Sequence, residues 1–122
     1  MSRSVDLFVS STEPVEALAA LIAERCRLEL RPRPEADRFD LVDGGLTAVL
    51  HRHAFVDDDG LPLSRYPYAL SMQTQASGHL GSSREVGFLR RVASSLDGVP
   101  VLLVLDLQYR DREPERAGGA DE

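Results

Sequence analysis

The fold of this chain is decided by LTAVLHRHAFV at residues 46–56 and YPYALSMQTQ at residues 66–75. Both runs alternate with the period of two that is typical of a β-strand. One face of the first strand carries apolar side chains, at Leu46, Ala48, Leu50, Ala54 and Val56. The equivalent face of the second strand carries Tyr66, Tyr68, Leu70 and Met72. We expect these two faces to contribute to the core.

The opposite face of the first strand mixes imidazoles with apolar groups, at Thr47, Val49, His51, His53 and Phe55. This face is too polar for a protein core and too apolar for an ordinary solvated surface. We therefore expect it to be the place where the protein contacts another molecule. The connector to the second strand begins with Asp57, Asp58, Asp59 and Gly60, a composition typical of turns because Asp and Gly tolerate positive φ.

A short strand and a helix are predicted on the N-terminal side of these runs. Residues 5–10 alternate as a strand, and the helix start is formed by Ser11, Thr12, Glu13 and Pro14. The helix that follows has an apolar stripe at Val15, Leu18, Ala19, Ile22 and Cys26. Two further strands are expected at residues 28–31 and 39–42, the second leading into a turn at Asp43, Gly44 and Gly45.

A second helix and a last strand are predicted after the two long strands. Ser82 and Glu85 have the spacing of a capping box, and the helix then continues to Leu96. Its inward positions are apolar, at Val86, Leu89, Val92, Ala93 and Leu96, and its outward positions include Arg84, Arg90 and Arg91. Residues 101–105 form a continuous apolar run, which is typical of a strand buried on both faces.

The elements follow the order β-α-β-β-β-β-α-β in a single α+β domain over residues 1–109. We expect a two-layer sandwich, in which a mainly antiparallel sheet of about five to six strands carries both helices on one face. The other face of the sheet is then exposed unless a partner or a second subunit covers it. Residues 110–122 are charged and lack periodicity, so we expect a disordered tail.

Composition excludes several classes of function. The formal net charge is −6, and an acidic chain disfavours general binding to nucleic acids or anionic membranes. There is no lysine, which removes Schiff-base chemistry and the P-loop of nucleotide hydrolases. The single cysteine, Cys26, excludes an internal disulfide framework. The first residues lack the apolar region of a signal peptide, so we expect a cytoplasmic protein.

Motifs for catalysis are weak, and we expect a protein that is not an enzyme and needs no cofactor. No serine occupies a Gly-x-Ser-x-Gly turn, and Cys26 belongs to the apolar stripe of a helix. One alternative is a metal or ligand site on the strand face of His51 and His53, whose imidazoles are about 6.5–7 Å apart along a strand. Such a site needs further ligands, for which His79 and the acids at 57–59 are the candidates.

Tyr66, Pro67 and Tyr68 form a second candidate contact region. Proline cannot donate a ladder hydrogen bond, so Pro67 indicates an edge strand or a bulge. Tyrosines near such an edge are typical anchors of a protein interface. The alternative is that both tyrosines pack on the helices. A further alternative is a homodimer that buries the exposed sheet face.

Three segments together carry a family resemblance: VDLFVS at residues 5–10, RYPYAL at residues 65–70 and PVLLVLDLQ at residues 100–108. In this pattern the chain resembles small single-domain proteins of GC-rich bacteria, some of which look like immunity proteins of polymorphic toxin systems. The resemblance covers residues 5–109. It implies an acidic, non-enzymatic protein that binds one cognate toxin domain and blocks it by occlusion, as in a toxin–antitoxin pair.

The leading expectation is thus a non-enzymatic protein-binding module with a protein partner. Its candidate binding residues are those of the exposed sheet face, the acidic turn and the tyrosine pair: His51, His53, Phe55, Asp57, Asp58, Asp59, Tyr66 and Tyr68.

Overall fold

Helices and strands follow one another in the predicted order. The computed structural model describes residues 3–35, 37–53, 62–74, 83–105 and 115–116. The strands are β1 (Arg3–Val9), β2 (Glu29–Pro32), β3 (Arg38–Asp43), β4 (Leu46–Arg52), β5 (Tyr68–Thr74), β6 (Val101–Leu105) and β7 (Glu115–Arg116). The helices are α1 (Val15–Cys26) and α2 (Arg84–Ser95), and a 3₁₀ turn covers Leu63–Arg65. Elements β1 to β6 with the two helices confirm the order β-α-β-β-β-β-α-β.

Neighbouring strands are antiparallel throughout the sheet, whose order is β2-β3-β4-β5-β1-β6-β7. In the β3–β4 hairpin, Asp43 pairs with Leu46 and leaves a two-residue loop, in which Gly44 has a φ of 61°. A two-residue hairpin loop needs positive φ, so this turn is the one that its glycines predicted. β7 is the described part of the predicted tail, and it pairs with β6.

Both helices lie on one face of the sheet, as expected. α1 buries the predicted stripe, Val15, Leu18, Ala19 and Ile22, and α2 buries Val86, Phe88, Leu89, Val92 and Ala93. These side chains form one core with the inner faces of the strands, including Leu7, Leu50, Leu70 and Leu103. Within the described part of the chain, neither helix is long and apolar enough to cross a membrane.

The helix starts differ in how they are capped. α1 begins after Pro14 without a side-chain cap. α2 begins after Ser83, whose Oγ accepts a hydrogen bond from the amide of Val86 at 3.2 Å. The predicted capping residue, Ser82, lies outside the described residues. Glu85 accepts a hydrogen bond from the Thr74 hydroxyl at 2.9 Å, so it connects the helix to β5.

The helix-free face of the sheet is divided into two halves. Over β5, β1 and β6 it carries a second core, which consists of Phe8, Leu63, Ala69, Leu102 and Val104, with Tyr66 packed against it. Leu63 reaches this core from the 3₁₀ turn, so the chain itself covers that half. The cover explains why β6 is buried on both faces, as predicted. It also corrects the expectation that the whole face lacks intramolecular cover.

The expected edge position of Tyr66 and Pro67 is wrong. β5 lies inside the sheet between β4 and β1, and Pro67 stands just before its first residue. There the missing N–H of proline costs no ladder hydrogen bond, and the Pro67 carbonyl accepts from the His53 amide at 3.2 Å. Tyr66 precedes the strand and packs against the second core, so it does not share the inner face with Tyr68.

Candidate functional site

The candidate site is the half of the helix-free face that no described residue covers, and we call it the open face. It consists of alternate residues of two neighbouring strands: Thr47, Val49 and His51 on β4, and Ser71 and Gln73 on β5. Thr47 and Gln73 are exposed, whereas the other three are half-buried. The alternation of β4 therefore places polar and apolar side chains on the helix-free side, as predicted. Phe55, the remaining predicted member, lies outside the described residues.

A hydrogen-bonded chain crosses three strands beneath the open face. Ser71 pairs with Val49 on one side and with Asp6 of β1 on the other. Its Oγ donates to Asp6 Oδ1 at 2.5 Å and lies 3.0 Å from His51 Nε2. Asp6 is only 5% exposed, so Ser71 separates a buried carboxylate from the imidazole at the surface.

Burial sets the protonation of Asp6 and His51, which are the two ends of the hydrogen-bonded chain. Desolvation raises the pKa of Asp6 from 3.8 to about 6, against the opposing effect of hydrogen bonds from Ser71 and Ser4. Burial lowers the pKa of His51, and the nearby Arg38 charge acts in the same direction. Near neutral pH, Asp6 is therefore mostly ionised and His51 mostly neutral.

This protonation state decides what the hydrogen-bonded chain can do chemically. Ser71 has one hydroxyl proton, and it gives that proton to Asp6. With this direction, the 3.0 Å contact between His51 Nε2 and the Ser71 oxygen is a hydrogen bond only if Nε2 donates. A nucleophilic serine needs an imidazole that accepts its proton, which is the reverse of this arrangement. The chain thus holds the His51 ring in place without activating Ser71.

His53 belongs to a separate group of contacts. Its Nε2 contacts the Tyr66 carbonyl, and its ring meets Phe8 edge-on with 5.0 Å between ring centroids. The two histidines thus use their Nε2 atoms for different partners. The described residues contain no group of three or more His, Cys, Asp or Glu side chains able to hold a metal. The further ligands considered from sequence, His79 and the acids at 57–59, lie outside those residues.

Two arginines that the sequence analysis did not select line a cleft of about 360 Å³ on the open face. Arg33 is held by Asp40 at 3.0 Å and by Glu35 at 3.2 Å. Arg38 is exposed and pairs in register with His51. Its carbonyl accepts from the Arg33 amide at 3.1 Å, but its guanidinium forms no hydrogen bond or ion pair within the described parts of the chain. The alternation of β3 places Arg38 on the helix-free side, but only the strand register shows that it is a neighbour of His51.

The predicted tyrosine pair is divided between the two sides of the sheet. Tyr68 is 1% exposed in the helix-side core. Its hydroxyl donates to the Glu13 carbonyl at 2.6 Å and accepts from Arg52 at 2.9 Å. Tyr66 lies on the other side, next to the second core. Asp57, Asp58 and Asp59 are outside the described residues, so the structure assigns the predicted acidic turn no place relative to the open face.

Comparison with known proteins provides no family for this chain. No protein-family model matches it, and neither the curated proteins nor the solved structures contain a significant match.

Proposed function

We propose that this chain is a non-enzymatic protein-binding module that binds its partner through the open face. The observation that carries the proposal is the incomplete cover of the sheet. Helices cover one face, and the segment around Leu63 covers half of the other. The half that contains Val49 and His51 has no comparable cover from the described residues.

The composition of the open face suits a protein interface. Such interfaces combine a less polar centre with a polar rim. Here half-buried Val49 lies between exposed Thr47 and half-buried His51 along β4, and exposed Gln73 adds a polar group on β5. Hydrogen bonds between adjacent strands hold these positions, so a partner meets a surface that is already organised.

The more specific proposal is that the partner is a toxin domain, which the module blocks by occlusion. This follows the resemblance to immunity proteins. The net charge of −6 favours a basic partner at long range.

Co-expression with toxin-like products of adjacent genes tests both levels of the proposal. We expect one product to bind the purified chain and to lose its toxicity in cells that contain the chain. Val49→Arg and the milder Thr47→Arg should each weaken binding by about tenfold or more, because an added guanidinium prevents close packing of the face. Ala17→Arg is the control, since it adds the same side chain to the exposed surface of α1.

Thermal melts check that each variant folds. Absence of binding and of protection with every adjacent product would contradict the toxin proposal. A partner that binds Thr47→Arg and Val49→Arg as tightly as the unmodified chain would show that the open face is not the binding site.

A further inference from the structure

We infer that the open face binds an extended acidic segment of its partner, with Arg38 as the residue that holds a carboxylate. The inference rests on the proposed function and specifies the partner chemistry at the same site. It also differs from what net charge suggests, because a chain of charge −6 attracts basic rather than acidic surfaces at long range.

The charges around the cleft indicate a carboxylate ligand. Of its two arginines, Arg33 is already held by Asp40 and Glu35. Arg38 has a guanidinium without a hydrogen-bonded partner in the described chain, although Glu35 is close enough to interact electrostatically. A guanidinium offers a planar set of donors that fits the two oxygens of a carboxylate.

The neighbours of Arg38 can accommodate the rest of such a segment. Arg38 stands in register with His51, and Val49 is two residues further along β4. Same-side residues of an extended peptide repeat about every 6.5–7 Å, which is also the spacing of His51 and Val49 along β4. An acidic side chain at Arg38 thus places the next same-side residue of the segment over the cross-strand pair of Asp40 and Val49. Thr47 and Gln73 are polar contacts beyond that pair.

Because the chain is acidic overall, binding of an acidic segment at this site should depend on Arg38. An acidic peptide is repelled by the chain as a whole, so general attraction cannot replace a lost local cation. Removal of the Arg38 charge should therefore weaken binding, while removal of an arginine from the helix side should not.

The test uses a peptide of repeating Glu-Thr-Val-Thr, in which glutamate and valine alternate on the same side of an extended chain. The peptide carries an uncharged fluorophore, and binding is followed by anisotropy at low salt. The control peptide has glutamine in place of glutamate. We expect the glutamate peptide to bind more tightly. Arg38→Gln should weaken its binding about three- to fivefold, the range for an exposed ion pair of ordinary strength. Arg84→Gln, on the exposed side of α2, should leave the affinity unchanged.

A second measurement reports the position of the bound carboxylate. The His51 ring lies beside Arg38, so a carboxylate bound there should raise the pKa of His51 in an NMR titration. The inference is overturned if the glutamine peptide binds equally well, if Arg38→Gln binds like the unmodified chain, or if the His51 titration is unchanged at saturation.

These outcomes separate the inference from the proposed function. A partner protein that is sensitive to Val49→Arg but not to Arg38→Gln would refute the acidic segment and leave the binding module intact. A partner insensitive to both variants would refute the open face as the binding site, and the acidic-segment inference with it.

Discussion

Asp6 combines a buried carboxylate with a contact to the surface of the open face. It is 5% exposed, and the hydroxyl of Ser71 connects it to His51. A buried carboxylate is costly to ionise, and desolvation therefore raises the pKa of Asp6 to about 6. Because of this cost, the stability of the folded protein should depend on pH.

Between about pH 4 and pH 6 the folded chain retains an Asp6 proton that the unfolded chain has released, because the folded pKa is the higher. The contribution of protonated Asp6 to stability is complete below its unfolded pKa of 3.8. It is lost as the pH rises through the folded pKa of about 6. A difference of two pKa units corresponds to about 3 kcal/mol. We therefore expect the free energy of unfolding, measured in urea, to decline over this pH range. The decline should be about 3 kcal/mol smaller in Asp6→Asn than in the unmodified chain.

A companion variant gives this prediction a second readout. Ser71→Ala removes a hydrogen bond that lowers the pKa of Asp6, so the decline in stability should extend to higher pH. Equal pH profiles for the unmodified chain and Asp6→Asn would contradict the assignment to Asp6.

The individual elements depend on contacts at their ends as well as on their apolar stripes. α2 starts at a capped residue, Ser83, whereas α1 starts after Pro14 without a side-chain cap. The 3₁₀ turn is too short to be stable alone, so it depends on Leu63, which is 1% exposed in the second core. These two contacts can be tested separately.

Ser83→Ala should lower the unfolding free energy by about 1 kcal/mol, because the Val86 amide loses its acceptor at the helix start. Ser94→Ala is the matched control on the exposed side of the same helix, where alanine favours the helix slightly. Denaturant unfolding measures both. Equal losses in the two variants would argue against Ser83 as the cap.

Leu63→Ala should cost about 3 kcal/mol, which is the usual size of the effect for a fully buried leucine. The truncation also uncovers Phe8 and Leu102 on the helix-free face. Urea unfolding measures the loss, and increased binding of a hydrophobic dye reports the uncovered surface. Leu21→Ala, at a partly buried position of α1, should have a smaller effect on both measurements. A small loss at Leu63 would show that the 3₁₀ turn does not cover this half of the sheet.

Among the described residues, the edge strand β2 and the open face are two places where another chain can approach. The edge strand β2 is short and mostly exposed, and it ends at Pro32, which cannot donate a ladder hydrogen bond. The open face carries Arg38, so two copies packed symmetrically through it bring like charges together. Both features oppose self-association.

We consequently expect the purified chain to be a monomer in solution, with sedimentation velocity as the measurement. The alternative predicted from the sequence, a homodimer, has twice the mass of this monomer. A dimer that Val49→Arg converts to monomers would show that the open face serves a second copy of the chain, and would contradict the proposal of a different partner.

Local sequence patterns were enough to predict most of the elements and their order. The period of two in residues 46–52 placed Ala48 and Leu50 inside and Val49 and His51 on the other side, as the structure confirms. The 3.6-residue stripes of α1 and α2 predicted which side of each helix is buried. These properties depend on neighbouring residues in the chain, so a single sequence reveals them.

Tertiary structure alone decided how the helix-free face is divided and what lies on it. Pro67 suggested an edge, yet β5 is internal because β1 pairs with it from the start of the chain. Asp6, His51 and Ser71 come from three strands, and only the register places them in one hydrogen-bonded chain. The same holds for Arg38 beside His51 and for Leu63 over Phe8. Local periodicity determines which side of a strand a residue occupies, whereas strand order and register depend on packing between distant segments.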